Sequence, residues 1–178
     1  FDADKNLESQ WKKKLEKDKK FKVGLCWQGR KKSRDNDSFA DYQLKRRTLG
    51  IEKLNVLGDL NQISFYALQK DFKQQDQSFF IKDFGDDFDK SSGAFMDTAA
   101  VMKNLDLVIT IDTSIAHLAG ALGVPVWILL PFESEWRWLL NRSDSPWYPT
   151  ARLFRQPKPG DWNSVIQEIK RELEKRLK

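Results

Sequence analysis

The chain has 178 residues, 40% apolar and 32% charged, the size and mix of one globular domain with a substantial core. Its longest uninterrupted apolar stretch, Val124 to Phe132, contains a proline and falls far short of the roughly 20 residues a spanning helix needs, while a single cysteine, Cys26, and a single histidine, His117, exclude a disulfide scaffold and a zinc module. The net charge of +5 sits at the front, where residues 1–50 carry 15 Lys/Arg against 8 Asp/Glu; such a patch suits an anionic partner, or is a solvated helix face and basic loop.

In chain order, Leu7, Trp11 and Leu15 recur every four residues among lysines, which predicts a surface helix over about Asp4 to Asp18. Residues 1–20 are therefore expected to form a lead-in helix, with the domain proper over 21–178. Phe21 to Trp27 reads as a buried strand, and the polar, charge-rich Gln28 to Gln43 as loop. A helix near Ile51 to Leu60, with Leu54 and Leu57 on one side, leads to a strand at Ile63 to Leu68 and a short one at Phe79 to Ile81. After the acidic turn Asp83 to Asp89, a helix over about Ala94 to Asn104 precedes Leu107 to Ile111, an apolar β-branched run typical of a strand covered on both faces. Thr113 to Leu122 reads as a helix stopped by Gly123 and Pro125. Val126 to Leu130 is a further buried strand, and Arg152 to Phe154 an edge strand. Trp162 to Leu177 closes the chain as a helix with Val165, Ile166, Ile169 and Leu173 on one face. Strand and helix alternate at short spacing, so the expected fold class is α/β, a parallel sheet with helices on both faces.

The chemistry concentrates in Asp106 to Pro125, where a buried strand ends at Asp112 and Thr113 and Ser114 open a helix. Ligands of open α/β sheets collect outside the carboxyl ends of the strands, and a helix start favours an anion. A phosphate-binding turn at Asp112, Thr113 and Ser114 follows, with His117 about one turn along the same helix. The plain alternative is that Asp112 is an N-cap and His117 a satisfied, partly buried histidine. Glycine-rich P-loop and dinucleotide fingerprints are absent from the chain. Gln69 and Lys70, at the end of the second strand, lie at the same expected rim, as contacts to the ligand or as plain surface residues. Phe132 to Trp138 follows another strand end; it supplies base stacking or ribose contact, or its aromatics pack, since Trp136 and Leu139 share a helical face. Trp27 and Trp127 are assigned to packing, and Cys26 reads as a small buried hydrophobe.

The stretch Val108 to Pro131, VITIDTSIAHLAGALGVPVWILLP, resembles the nucleotide-binding signature of GT-B glycosyltransferases, particularly the ADP-heptose:lipopolysaccharide heptosyltransferase family. It is also similar to the glycosyltransferase region of bacterial tetratricopeptide-repeat proteins, which are distantly similar to O-linked N-acetylglucosamine transferase. Supporting pieces are Val23 to Gly29, Arg47-Thr48-Leu49, Phe65 to Lys70, Asp97 to Ala100, Trp136 to Leu139 and Ser145 to Pro149.

The resemblance implies a Rossmann-like, C-terminal half of a GT-B fold that binds a nucleoside-diphosphate sugar. In it, the amides at Asp112, Thr113 and Ser114 would hold the diphosphate, with His117 beside the phosphate or sugar. Gln28 and Gly29 would face the leaving group. Arg47 would neutralise its charge, for which a planar guanidinium fork is suited; the plain alternative is a solvated arginine beside Arg46. Gln69, Lys70 and Glu133 complete the candidate donor contacts.

The resemblance further implies metal-independent transfer with no cofactor, because cationic side chains and helix amides replace a divalent ion. The general base is expected on a missing N-terminal half; Asp35, Asp37 and Asp41 read better as exposed loop carboxylates. The opening on Phe1 also suggests a piece of a longer polypeptide, which would possess that other half and could carry a repeat domain, so the isolated chain is expected to turn over little. Without a charged, apolar leader at its start, the chain is expected to be cytoplasmic. The rival readings are a non-catalytic nucleotide or phosphate module, and nucleic-acid binding through Lys12 to Lys32, which predicts steep salt dependence.

Overall fold

Six strands, β1 (Phe21–Cys26), β2 (Ile63–Ala67), β3 (Ile81–Lys82), β4 (Leu107–Ile111), β5 (Val126–Leu130) and β6 (Ala151–Arg155), form one sheet in the order β3-β2-β1-β4-β5-β6. Every pairing between these strands is parallel. The computed structural model describes residues 2–29, 38–70, 72 and 80–178, with side chains left undescribed at 38–41 and 43. The expected α/β class is therefore the observed one.

The sheet is covered on both faces, and the alternation of side chains along a strand says which residue serves which face. In β4, Leu107, Ile109 and Ile111 join one core with Trp127, Phe154, Val165, Ile169 and Leu173, beneath α5 (Trp162–Arg176) and a 3-10 turn over Ile51–Leu57. Val108 points the other way, into a second core with Met102, Ala116, Ala119, Ile128 and Trp138, beneath α3 (Met96–Met102) and α4 (Ser114–Ala121). Both cores are apolar enough that β2, β4 and β5 are buried throughout. Gly24 lets the sheet be covered closely: a Cβ there would lie 2.7 Å from side-chain carbons of Leu68 and Leu105.

Helix α1 (Lys5–Leu15) is capped by Asp4, whose carboxylate accepts from the Asn6 and Leu7 amides at 2.9 Å. It packs its apolar stripe on the second core. Trp11 is buried edge-on against Phe84 and Phe88, and its indole Nε1–H donates to Asp97 Oδ1 at 2.7 Å. The same carboxylate accepts from the Asp89 amide and the Ser92 hydroxyl.

Three local expectations need correction. The loop expected over Gln28 to Gln43 contains the start of a helix, α2 (Ser38–Arg47); Leu44 has only the small Ala40 at helical spacing, so no stripe announces it, and its basic last turn suits the helix dipole instead. The helix near Ile51 to Leu60 is a 3-10 turn ending at Leu57. Trp136 and Leu139 do not share a buried face: Trp136 opens the short 3-10 turn Trp136–Trp138, Leu139 follows it, and both are exposed, while Trp138 is fully buried. Asp35, Asp37 and Phe79 lie outside the described residues.

Trp11→Phe keeps an aromatic ring but removes the indole donor and part of its bulk, leaving the Asp97 carboxylate one hydrogen bond short in a buried place. The expected loss of stability is about 1–3 kcal/mol, read as a lower urea midpoint. An unchanged midpoint would mean that α1 is held by apolar contact alone.

Candidate functional site

With all strands parallel, their carboxyl ends share one rim. The chain leaves β1 toward the face covered by the 3-10 turn and α5, and leaves β4 toward the opposite face through α4. Where neighbouring strands send their crossovers to opposite faces, a crevice opens between the two loops. Here the switch point, and the crevice expected of it, lie between Trp27-Gln28-Gly29 after β1 and Asp112-Thr113 after β4.

Helix α4 begins at this crevice. Thr113 is its N-cap, with extended backbone and a hydroxyl that accepts from the Ile115 amide at 3.3 Å. The Ala116 amide is taken by the Thr113 carbonyl. The Ser114 amide has no acceptor among the described residues, and the Ser114 side chain is exposed.

Asp112 precedes the cap and is 7% exposed. Burial pushes its carboxyl up; the Trp138 indole, Arg47 and His117 oppose the shift, and Glu135 adds to it. No hydrogen bond of good geometry reaches the buried Trp138 Nε1, but the indole still acts on this carboxylate. Arg47, the last residue of α2, places Nη1 3.5 Å from the Asp112 carbonyl and 3.9 Å from its Oδ2. Its Nε is buried with no acceptor among the described residues. His117 Nε2 lies 4.0 Å from Asp112 Oδ1, an electrostatic distance rather than a hydrogen bond. The other face of the imidazole is built in: its ring stacks on Trp138 at 5.3 Å, and Nδ1 is 2.9 Å from the Tyr148 hydroxyl.

The structure thus brings Arg47, Asp112, Thr113, Ser114 and His117 to one corner. Gln28 and Gln69 sit beside it in a bracing role: the Gln28 amide donates to Gln69 Oε1 at 2.9 Å, and Cys26 Sγ lies 3.6 Å from the same oxygen. Cys26 is buried with its thiol pushed up by burial, as a packing residue would be. Gly29 follows at the mouth, where a Cβ would come 3.0 Å from Leu44 Cδ1. Lys70 is exposed at the rim and contacts none of the corner residues. Glu133 pairs with Arg46, at 2.9 Å between side chains, which ties the loop after β5 to the end of α2. Tyr148 is the residue that sequence reasoning left without a role here, and Trp138, read as base stacking, ribose contact or packing, is fully buried against His117. A cavity of about 230 Å³ lies elsewhere, near the start of β2, lined in part by Asp18, Ser64, Phe80 and Lys82. There Asp18 is already held by Lys82 and the Tyr66 hydroxyl.

The strand order, with its change of direction between β1 and β4, defines a doubly wound, Rossmann-like α/β domain. No protein-family model matches the chain. It is similar to protein FlbA of Caulobacter vibrioides, 29% identical over 167 residues, which are 90% of this chain and 26% of that protein. Its fold is similar to the crystal structure of the glycosyl transferase family 9 protein from Veillonella parvula, with a TM-score of 0.55 at 12% identity over 98% of this chain and 45% of that one. The chain thus spans about a quarter of the first relative and under half of the second.

The raised Asp112 carboxyl has a consequence for stability. The unfolded chain ionises this group near the ordinary value of about 3.9, before the folded chain does, so stability falls as pH rises from there through the folded value and stays lower above it. Asp112→Asn cannot ionise. It is expected to melt at a higher temperature than the parent at pH 7, with the gap closing toward pH 3; equal melting temperatures at both pH values would contradict the assignment.

Proposed function

We propose that the chain binds the diphosphate of a nucleoside-diphosphate sugar at the start of α4 and forms the donor-binding, C-terminal-type half of a GT-B glycosyltransferase. One observation carries the reading: at the β1/β4 switch point, the uncommitted Ser114 amide lies two residues after Asp112, and Asp112 is approached by the Arg47 guanidinium, whose Nε is buried without an acceptor among the described residues. Oriented amides and a planar cation form a site complementary to phosphate oxygens. The fold shared with a glycosyl transferase family 9 protein supports the reading. So does the share of that protein covered, 45%, which is what one of two halves would account for.

In this reading, the bond between the sugar's anomeric carbon and the terminal diphosphate oxygen breaks, and its electron pair leaves with the nucleoside diphosphate. Arg47 and the α4 amides offset the charge that grows there; removing one such stabiliser costs roughly 3–4 kcal/mol of barrier. His117 presents Nε2 to the phosphate nearest the sugar. The acceptor oxygen bonds to the anomeric carbon and loses its proton to a base outside residues 1–178. Asp112 remains buried at a cost in stability because it aligns Arg47 and His117 across the crevice.

Thermal shift with UDP, ADP, GDP and CMP, repeated on Asp112→Ala and Arg47→Ala, tests the site. A nucleotide present at 100 times its Kd adds about 2.7 kcal/mol, roughly 5–10 °C at this size. The expected result is one nucleotide that stabilises the parent and neither variant. Equal shifts in all three would place binding elsewhere, and tighter, steeply salt-dependent binding of RNA or DNA would replace the reading.

A further inference from the structure

We propose that Tyr148 is a positioning residue for His117, acting through a hydrogen bond that fixes which imidazole nitrogen holds the proton. The inference rests on the diphosphate reading for its purpose, but its geometry stands by itself.

The imidazole has two nitrogens and two different neighbours. Nε2 is turned toward the Asp112 carboxylate at 4.0 Å, and Nδ1 toward the Tyr148 hydroxyl at 2.9 Å. A bare lone pair on Nε2 would face negative charge from Asp112, with Glu135 adding to the same field and Arg47 opposing it. The arrangement in which Nε2 carries the proton removes that conflict. Nδ1 is then the acceptor and the phenol donates to it. The Nε2–H remains uncommitted, because 4.0 Å is beyond hydrogen-bond range of Asp112. It is an aimed donor in the same crevice as Arg47 and the first turn of α4.

The surrounding structure is shaped to keep the phenol there. Tyr148 comes from the turn before β6, where its carbonyl accepts from the Ala151 amide at 2.9 Å and the Leu153 amide bonds to the Ser143 carbonyl. Its ring crosses α4 directly over Gly120, one turn after His117. A Cβ on residue 120 would stand 2.4 Å from Tyr148 Cγ, a distance no side chain occupies. Gly120 is helical and buried, so the glycine is needed for this crossing rather than for a turn. Trp138 stacks on the imidazole with ring centroids 5.3 Å apart and lies 6.3 Å from the Tyr148 ring, so the three rings pack as one cluster that restrains the imidazole.

His117 is the one histidine in the chain, so the imidazole nitrogen signals of a ¹⁵N-labelled sample belong to it without assignment work. Long-range proton–nitrogen correlation in mildly alkaline buffer, where an imidazole is neutral, reads the tautomer and the hydrogen bond at Nδ1 directly. The parent is expected to show a protonated Nε2 and an Nδ1 shifted as a hydrogen-bonded acceptor. Tyr148→Phe is expected to move Nδ1 to the position of a free acceptor with the melting profile retained. Gly120→Ala is expected to do the same by displacing the ring, and the double variant to add nothing further. An Nδ1 signal unchanged in Tyr148→Phe, or a protonated Nδ1 in the parent, would overturn the proposal; should Gly120→Ala fail to fold, the phenylalanine variant alone decides. In a second arm, inorganic pyrophosphate is titrated into each protein, and Tyr148→Phe is expected to bind it 3- to 10-fold more weakly. A parent with no affinity for pyrophosphate would count against the diphosphate reading while leaving the nitrogen spectra to judge Tyr148.

Discussion

Everything of chemical interest in this chain depends on a sheet whose strands all run one way and whose crossovers change side once, between β1 and β4. Parallel strands gather their carboxyl ends on one rim, and the change of side prevents the two adjoining loops from packing on each other. Between Gln28 and Asp112 they separate, and helix α4 points its unfilled first turn into the gap. A different strand order with the same side chains would leave the same amides beneath a loop.

At that gap the protein tolerates an arrangement that folding alone would not favour. Asp112 is a carboxylate pushed toward neutrality by its burial, with an arginine and a histidine near it but neither in a hydrogen bond that would satisfy it. A buried charge that is incompletely paired costs stability. Such costs are concentrated where a site must hold polar groups ready for a ligand. Around this corner the packing is otherwise complete: Trp138 is fully buried, Tyr148 crosses a glycine, and Cys26 with Gln69 ties off the loop after β1. The contrast between tight walls and an undersatisfied centre is what the proposed donor site rests upon.

How much was legible in the sequence follows from where each signal is stored. Strands β4 and β5 fall at Leu107–Ile111 and Val126–Leu130 as expected, because a strand buried on both faces needs a continuous apolar run and the residues that end it are equally local. Helix α2 was hidden because its stability derives from good helix formers and a basic last turn rather than an apolar stripe. Asp112, Thr113, Ser114 and His117 were legible as a group, since strand end, cap and first turn are contiguous. Only the family resemblance points to Arg47, since its position against Asp112 joins residues 65 apart and no local pattern encodes that. Tyr148 was farther out of reach: its partner His117 is 31 residues away, and the residue that permits the contact, Gly120, reads in sequence as one small residue among alanines.

The most direct test is to see where a nucleoside diphosphate lies. A crystal of this chain grown with the best-binding nucleotide should show its diphosphate against the Ser114 amide and the Arg47 guanidinium, at the carboxyl ends of β1 and β4. Density at the cavity lined by Asp18 and Lys82, or at any surface away from α4, would contradict the account.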